Sequence, residues 1–378
     1  IRGRDNPNSP IPNARLIIDK EKNIFCFCDL KKINKIKKIK YKKIKFHKFE
    51  EIYEILSKLN SSLFTIDGLT CSIFYQSLIE SRFKISNFED PIYHLKSIKN
   101  KIEIENMKKA HIKDGVALTK FLFWIKQDKN FGFDELTLEK KLEKFRKKNK
   151  DYIYPSFNTI AGSGPNSAII HYRSSKKTNR KIKKDDIFLC DSGGQYKYGT
   201  TDVTRTVCFK KPSERIKNIF TRVLKGHIAV ATNNLNKIKK GNLIDKKARE
   251  SLNKVNLDYG HGTGHGVGFF SNVHEGPQSI SKYNKIKILE GMILSNEPGF
   301  YKKNKFGIRI ENLVYIKKLN KKIKFENLTF APIDNDLINY NMLNKDEKNY
   351  LFNYHLDIYS KYSKYLNFKE RNWLANLI

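Results

Sequence analysis

Residues 259–277 read Y-G-H-G-T-G-H-G-V-G-F-F-S-N-V-H-E-G-P, which places His261 and His265 among five glycines up to Gly268, with His274 shortly after. A backbone so bare of side chains makes a poor core, and it carries imidazoles on a segment with almost no bulk around them. Gly and His also cluster in surface loops that bind metal only casually. What separates this stretch from such a loop is whether acidic residues elsewhere fall where a metal site needs them.

They do so twice. Residues 187–191 (I-F-L-C-D) alternate like a strand and run into S-G-G, and residues 200–208 (T-T-D-V-T-R-T-V-C) form a second strand rich in β-branched residues. A hairpin with its tip around Tyr196 and Lys197 sets Asp191 opposite Asp202, with Cβ atoms about 5 Å apart. Like charges that close repel, and burying them costs several kcal/mol unless a cation lies between. Either aspartate alone could instead cap a turn. Downstream, residues 292–297 (M-I-L-S-N-E) and 307–316, containing G-I-R-I-E-N, flank a K-K-N-K turn. A tip near Asn304 sets Glu297 opposite Glu311, and Arg309 shares the strand face of Glu311 by the period of two. Four carboxylates plus His265 make an oxygen-rich, single-imidazole site for two cations. That donor set suits Mn(II), with Co(II), Fe(II) or Zn(II) as substitutes, better than it suits a closed cysteine zinc site.

The chain of 378 residues is long enough for two domains or one large one. Residues 14–18 and 24–28 are apolar runs around D-K-E-K-N, which suits a hairpin. Helical spacing follows over 49–59, a buried strand over 63–66 and a helix over 70–79, so an α/β domain is expected first. Polar residues and Pro91 mark a boundary near 87–92. Beyond it, 99–127 is a long helix with Ile104, Met107, Val116, Leu118, Phe121, Leu122 and Ile125 on one face. A second helix is expected after Thr137 as N-cap, with Leu138, Leu142 and Phe145 facing inward. A third opens at Ser213 and Glu214, and a fourth covers 245–252. With strands between them the region is α+β, helices against a mainly antiparallel sheet. From Asn344, whose capping box pairs it with Glu347, the aromatic-rich tail is helical again and is expected in core packing or a subunit contact.

Net charge is +35, from 74 Lys and Arg against 39 Asp and Glu. Such a balance normally suggests nucleic acid or an anionic membrane surface. Here the lysines are scattered in K-K-I-K runs (37–45, 181–184, 317–324) among many Ile and Asn, as an AT-rich genome produces, and no nucleic-acid motif accompanies them. No specific nucleic-acid partner and no membrane partner are expected. The five cysteines have neither zinc spacing nor a C-x-x-C motif and read as reduced thiols of a cytoplasmic protein. Ile1 is not a start methionine, so the chain is expected to lack its natural N-terminus.

The order Asp191, Asp202, His265, Glu297, Glu311, with gaps of 11, 63, 32 and 14 residues by subtraction, resembles the dinuclear site of the pita-bread metallopeptidases. Within them T-I-A-G-S-G-P-N-S-A-I-I-H-Y, D-S-G-G-Q-Y-K-Y-G-T-T-D-V-T-R-T, G-H-G-T-G-H-G-V-G, N-V-H-E-G-P and G-I-R-I-E-N are similar to the aminopeptidase P family. The resemblance implies a pita-bread (creatinase/aminopeptidase) catalytic domain over 91–320. A partial creatinase-like α/β N-terminal domain over 1–90 precedes it, with an earlier such domain missing, and a C-terminal helical extension over 321–378 follows. It implies release of the N-terminal residue from peptides with proline in second position, by a hydroxide bridged by two divalent metal ions. Asp191 and Glu311 would bridge the ions, Asp202 would hold one, and His265 and Glu297 the other. Glu297 would also pass a proton toward the leaving nitrogen, His171, His261 and His274 would contact substrate, and Arg309 would order Glu311 and neighbouring carboxylates. His47, His94, His111, His227 and His355 lie outside the motifs and are read as structural or surface residues. A homodimer is implied as well. Alternatives are a prolidase, which shares all five ligands, or an inactive pita-bread binding module. Departures from the family pattern are Ser167 and Phe269, where Gly and Ser are common, and Gly194 for Ala; Phe269 is expected near the site, where it would alter substrate access.

Overall fold

The structure is a computed structural model that describes residues 3–33, 43–127 and 132–378; most of the lysine run at 37–45 lies outside the described residues. The chain divides into two compact units, Ile1–Leu95 and Lys96–Ile378.

In the first unit β1 (Ala14–Ile18) and β2 (Ile24–Cys28) form the expected hairpin, closed by Asp19, whose carboxylate accepts from the Asn23 N–H at 2.8 Å. β3 (Ile44–His47) adds parallel to β2. A second, two-stranded parallel sheet joins β4 (Leu63–Ile66) to β5 (Lys84–Asn87), and α1 (Ile52–Lys58) and α2 (Ile73–Glu80) supply the helices. The core gathers Ile17, Phe27, Ile52, Leu56, Ile79 and Phe83. β4 is half-exposed rather than buried, because its two-stranded sheet leaves Leu63 and Thr65 facing solvent. α3 (Pro91–Ser97) runs across the division between the units.

The second unit opens with α4 (Lys101–Ile125), capped by an Asn100–Glu103 box, and α5 (Glu135–Lys147). The α5 cap is Asp134, not Thr137. The Asp134 carboxylate accepts from the Thr137 N–H at 2.7 Å, so the threonine is the third helical residue and the helix starts three residues early. The strands then follow as β6 (Tyr152–Pro155), β7 (Ile160–Ser163), β8 (Ile187–Ser192), β9 (Gly194–Tyr196), β10 (Gly199–Thr200) and β11 (Val203–Cys208). α6 (Glu214–Ala231) is capped by Ser213 as expected, and α7 (Gly241–Asn253) begins four residues ahead of its expected start. β12 (Gly264–Gly266), β13 (Glu275–Ile280), β14 (Ile293–Asn296), β15 (Gly299–Lys302), β16 (Phe306–Arg309), β17 (Asn312–Leu319) and β18 (Lys322–Asn327) complete the sheets. The last strand lies in a segment expected to be helical. α8 (Lys345–Tyr362), with the Asn344–Glu347 capping box, and α9 (Phe368–Ala375) end the chain.

Antiparallel sheets of order β11-β8-β7 and β13-β12-β14-β17-β18 form the frame. A core of Phe220, Leu224, Ile308, Tyr354, Ile358 and Tyr362 packs α6 and α8 against it, so two of the tail's aromatic residues are core residues; Phe352 and Tyr365 stay exposed. The segment entering α4 is tied to the β13 side of the frame. The Lys99 N–H donates to the Gly291 carbonyl at 2.9 Å, and its ammonium reaches Glu275 Oε1 at 2.5 Å, both side chains being buried. Half-exposed Lys96 lies 3.6 Å from the other Glu275 oxygen. Removing one partner of a buried pair leaves the other charge uncompensated. Lys99→Met should therefore lower unfolding free energy by about 3–5 kcal/mol in urea titrations, and Lys96→Met by at most about 1 kcal/mol; equal effects would contradict this account.

Candidate metal centre

The β8–β11 ladder pairs Asp191 with Thr204, not with Asp202. The register runs unbroken through β9–β10, where Gly199 faces Tyr196, so the two-residue tip is Lys197–Tyr198, one position beyond the expected one. Asp202 thus sits two residues before Asp191's direct partner, in the break between β10 and β11. The second hairpin keeps its expected register. Asn296 faces Asn312, Gly299 faces Arg309, and the turn centres on Asn304, whose φ of 58° is the left-handed conformation Asn tolerates. The same register continued through the gap between ladders puts Glu297 opposite Glu311. Freed from the ladder, their N–H groups find other partners, Glu297 the Thr263 carbonyl just before β12 at 2.8 Å and Glu311 the Thr204 carbonyl of β11 in the other sheet at 3.1 Å.

His265 is the middle residue of β12, and the flanking glycines explain its setting. A Cβ on Gly264 would stand 2.0 Å from the Ser295 carbonyl oxygen, and one on Gly266 2.1 Å from that of Glu275. Only a strand stripped of side chains on both sides of the histidine fits between β13 and β14. The ring nitrogen Nδ1 lies 2.9 Å from the Gly266 carbonyl, which directs Nε2 inward, 3.5 Å from Asp202 Oδ2 and 3.5 Å from Glu297 Oε1. Donor atoms of Asp202, His265 and Glu311 all lie within 4.8 Å of one another.

A cleft of about 400 Å³ is lined by Asp191, Asp202, His265, Glu297 and Glu311 together with His171, His261, His274 and Arg309, so all nine candidate residues meet there. The His274 ring stands edge-on to His265, centroids 4.2 Å apart. Arg309 bonds Asp191 Oδ2 at 2.6 Å, Thr204 Oγ1 at 3.1 Å and Tyr301 OH at 2.7 Å, so of Glu311 and the neighbouring carboxylates it was expected to order, Asp191 is the one it bonds directly. Glu311 accepts instead from Thr204 Oγ1 at 2.8 Å. Phe269, in the bend after β12, packs with the cluster around Ile104 and Val267 and does not line the cleft. Ser167 fits as more than a spacer, its hydroxyl accepting from the Gly307 N–H at 2.7 Å, while a Cβ on Gly194 would meet the Tyr152 and Tyr196 rings at 2.9 Å. Of the five other histidines none lines the cleft; His111, His227 and His355 are buried on backbone hydrogen bonds.

Two supporting residues escaped the sequence reading. Arg205, fully buried on β11, donates to the Glu311 carbonyl at 2.6 Å and the Thr204 carbonyl at 2.7 Å, and also to Ala331 and Tyr354. Arg249 of α7 holds the glycine-rich loop through the Tyr259 and His261 carbonyls at 2.8 and 2.6 Å. A charged residue inside an otherwise apolar or β-branched strand, as in T-R-T, was the available signal for the first; nothing local marks the second.

The electrostatics demand a cation. Burial, then the charges of Asp202 and Glu297, push the Asp191 carboxyl up to about 7 despite Arg309, and Asp191 Oδ1 is buried with no hydrogen-bond partner among the described residues. Burial and the same neighbours raise Glu311 well above the carboxylate range. Burial also works against the imidazolium of His265, yet its bond to Asp202 and the charges of Glu297 and Asp202 raise it to about 9. Burial opposes the Glu297 charge too, but His265, His261 and Arg309 hold it below the usual value. An oxygen-rich set with one inward imidazole fits hard and borderline divalent ions. A second acidic group, Cys208, Asp334 and Asp336, already holds the Lys126 ammonium, 2.9 Å from Asp334 and 2.8 Å from Asp336.

Metal-dependent hydrolases are the class in which such a donor set opens onto a substrate-sized cleft. The pattern of Metallopeptidase family M24 matches residues 105–318, more than half of the chain, and the chain belongs to that family. Its C-terminal region matches 321–377, and the Creatinase/Prolidase N-terminal domain matches 1–103, so the pita-bread fold preceded by a creatinase-like domain is the fold of this chain. The chain is 44% identical over 299 residues to a probable Xaa-Pro aminopeptidase P of Laccaria bicolor, covering 75% of this chain and 47% of the relative. It is 41% identical over 307 residues to one of Paracoccidioides brasiliensis, covering 77% and 50%. It thus spans about half the length of the curated relatives it matches. Among solved structures it is similar to the X-prolyl aminopeptidase of Caenorhabditis elegans, described as a cytosolic enzyme with a di-nuclear active site. That match has a TM-score of 0.90, 31% identity, and covers all of this chain and 65% of that one. Prolidase from Pyrococcus furiosus is similar with TM-score 0.72 and 28% identity, over 86% and 93%.

The sign of the pH dependence follows from the raised groups. His265, with its folded pKa above the unfolded value, stabilises the metal-free fold fully below about 6.5 and loses that contribution as pH rises through about 9. Asp191, a raised acid, destabilises it increasingly as pH rises from about 4 through about 7. Both protons must leave for a cation to bind. Mn(II) should therefore bind at least about tenfold more tightly at pH 8 than at pH 6 and raise Tm more there; calorimetry and thermal melts that find equal affinity at both would contradict this.

Proposed function

We propose that this chain is a metal-dependent aminopeptidase that releases the N-terminal residue from peptides with proline in second position. The observation that carries the reading is the meeting of Asp191, Asp202, Glu297 and Glu311 with inward-facing His265 in one cleft, in a family whose similar curated members are named Xaa-Pro aminopeptidases. In this reading Asp191, Asp202, His265, Glu297 and Glu311 would hold two divalent ions, Mn(II) first among the candidates. Such ions, when bound, supply Lewis-acid polarisation of a carbonyl and acidification of water.

The rest is the work of the chain's own groups. Glu297, its carboxylate kept charged and steadied by Ser295 Oγ at 3.0 Å, accepts a proton from water and passes it toward the leaving proline nitrogen. Burial keeps His261 and His274 below the usual imidazole range, so both are neutral hydrogen-bond partners at neutral pH. With His171 they orient the substrate and meet the developing oxyanion. Tyr301 OH, 2.9 Å from His261 Nε2, fixes that ring, and Arg309 joins Tyr301 to Asp191. Domains over 1–90, 91–320 and 321–378, a homodimer and a cytoplasmic setting belong to the same reading. All five cysteines are free, and among the described residues no helix is long and apolar enough to cross a membrane.

The test is hydrolysis of an Xaa-Pro-Pro tripeptide by protein reloaded with Mn(II). Release of the first residue is expected, with Asp202→Asn and His265→Ala each at least about 10³-fold slower in kcat/KM, the loss that removing a principal electrostatic stabiliser brings. Cleavage of Xaa-Pro dipeptides alone would replace the reading with prolidase, and metal binding without cleavage of either would replace it with a binding module.

A further inference from the structure

We propose that Glu135, outside the cleft and on no motif, is the positioning residue for His171; the proposal rests on the aminopeptidase reading, in which His171 contacts substrate. Glu135 is the first residue of α5 and has no solvent exposure. Among the described residues its carboxylate is met only by neutral donors. Oε1 accepts from the Ser163 N–H at 2.7 Å and Asn166 Nδ2 at 3.1 Å, and Oε2 from Asn166 Nδ2 at 3.0 Å, Tyr172 OH at 2.7 Å and the Arg180 N–H at 3.3 Å.

These donors are spread over residues 163–180, the segment that carries His171 and Arg173 into the cleft. Its far end is zipped to the start of α5, with the Glu135 N–H on the Arg180 carbonyl at 3.2 Å and the Ile182 N–H on that of Phe133 at 2.9 Å. Its near end turns at Gly164, where φ is +51° and a Cβ would strike Arg180 Nη1 at 2.2 Å. Between the ends, Tyr172 OH is shared among Glu135, Asn166 and the Thr178 carbonyl. His171 itself is exposed and has no hydrogen-bond partner among the described residues, so its place in the cleft is set by its neighbour Tyr172 and by the carboxylate that holds it.

An acceptor-only group is what such a ring of donors needs. A glutamine of the same shape turns its NH₂ toward either the Ser163 N–H or the Arg180 N–H, groups that can only donate, and at least one bond is lost. The segment then loosens while the metal ligands, on other strands, keep their places.

The experiment is steady-state kinetics on an Xaa-Pro-Pro tripeptide with Mn(II)-loaded wild type, Glu135→Gln, His171→Ala and the double variant, with bound metal counted in each. Glu135→Gln should lower kcat/KM by roughly tenfold, mostly through KM, with metal content as in wild type, and the loss should shrink to within about twofold in the His171→Ala background. Equal losses in both backgrounds, or none in either, would overturn the proposal. Should Glu135→Gln fail to fold, Tyr172→Phe removes one donor and should show the same dependence on His171 at smaller size. Hydrogen exchange separates this proposal from the reading beneath it. If the wild type proves inactive the aminopeptidase reading falls, and faster exchange in Glu135→Gln confined to 164–181 still supports Glu135 as the anchor, whereas unchanged exchange there overturns it.

Discussion

Four carboxylates drawn into one buried place are the constraint on which the second unit depends. Asp191, Asp202 and Glu311 are each at most 9% exposed, and burial first, with repulsion from the neighbouring carboxylates added, displaces Asp191 and Glu311 upward. A fold does not gather such groups for stability, since burying like charges without a counter-ion costs several kcal/mol. In the metal-free chain the partial remedies are Arg309 on Asp191 and a protonated His265 between Asp202 and Glu297. Neither reaches Asp191 Oδ1, and it is that shortfall that a divalent ion would make good.

The architecture can be read as the means of holding those charges. Asp202, Glu297 and Glu311 stand in breaks between strands, where side chains can turn inward because the backbone has left one ladder and not yet joined the next. The backbone bonds from Glu297 to Thr263 and from Glu311 to Thr204 keep the breaks rigid. Glycines on both sides of His265 let β12 pass between β13 and β14, and Arg205 ties the Glu311 backbone to Tyr354 of α8. The tail helices therefore support the site as well as the core.

Much of this was legible in the residues. Hairpin tips carry local chemistry, so Asn304 gave the register that opposes Glu297 and Glu311. The Lys197–Tyr198 tip has no glycine or asparagine to mark it, and there the expected register slipped and set the wrong residue opposite Asp191. Alternation could not correct the slip, because every residue of β8 and β11 is buried and both faces look alike. The long-range partners were out of reach for another reason. Arg309 lies two residues from Glu311 in sequence and bonds Asp191, and Glu135 serves a loop that ends forty-five positions later, contacts that only the folded topology creates.

This cluster, and no other acidic group among the described residues, should bind two divalent ions. Equilibrium dialysis against Mn(II) at pH 8, with metal counted per chain in wild type, Glu311→Gln and Asp336→Asn, tests it directly. The account predicts two ions for wild type and Asp336→Asn and loss of at least one in Glu311→Gln. Two ions retained in Glu311→Gln, or none in the folded wild type, would contradict it.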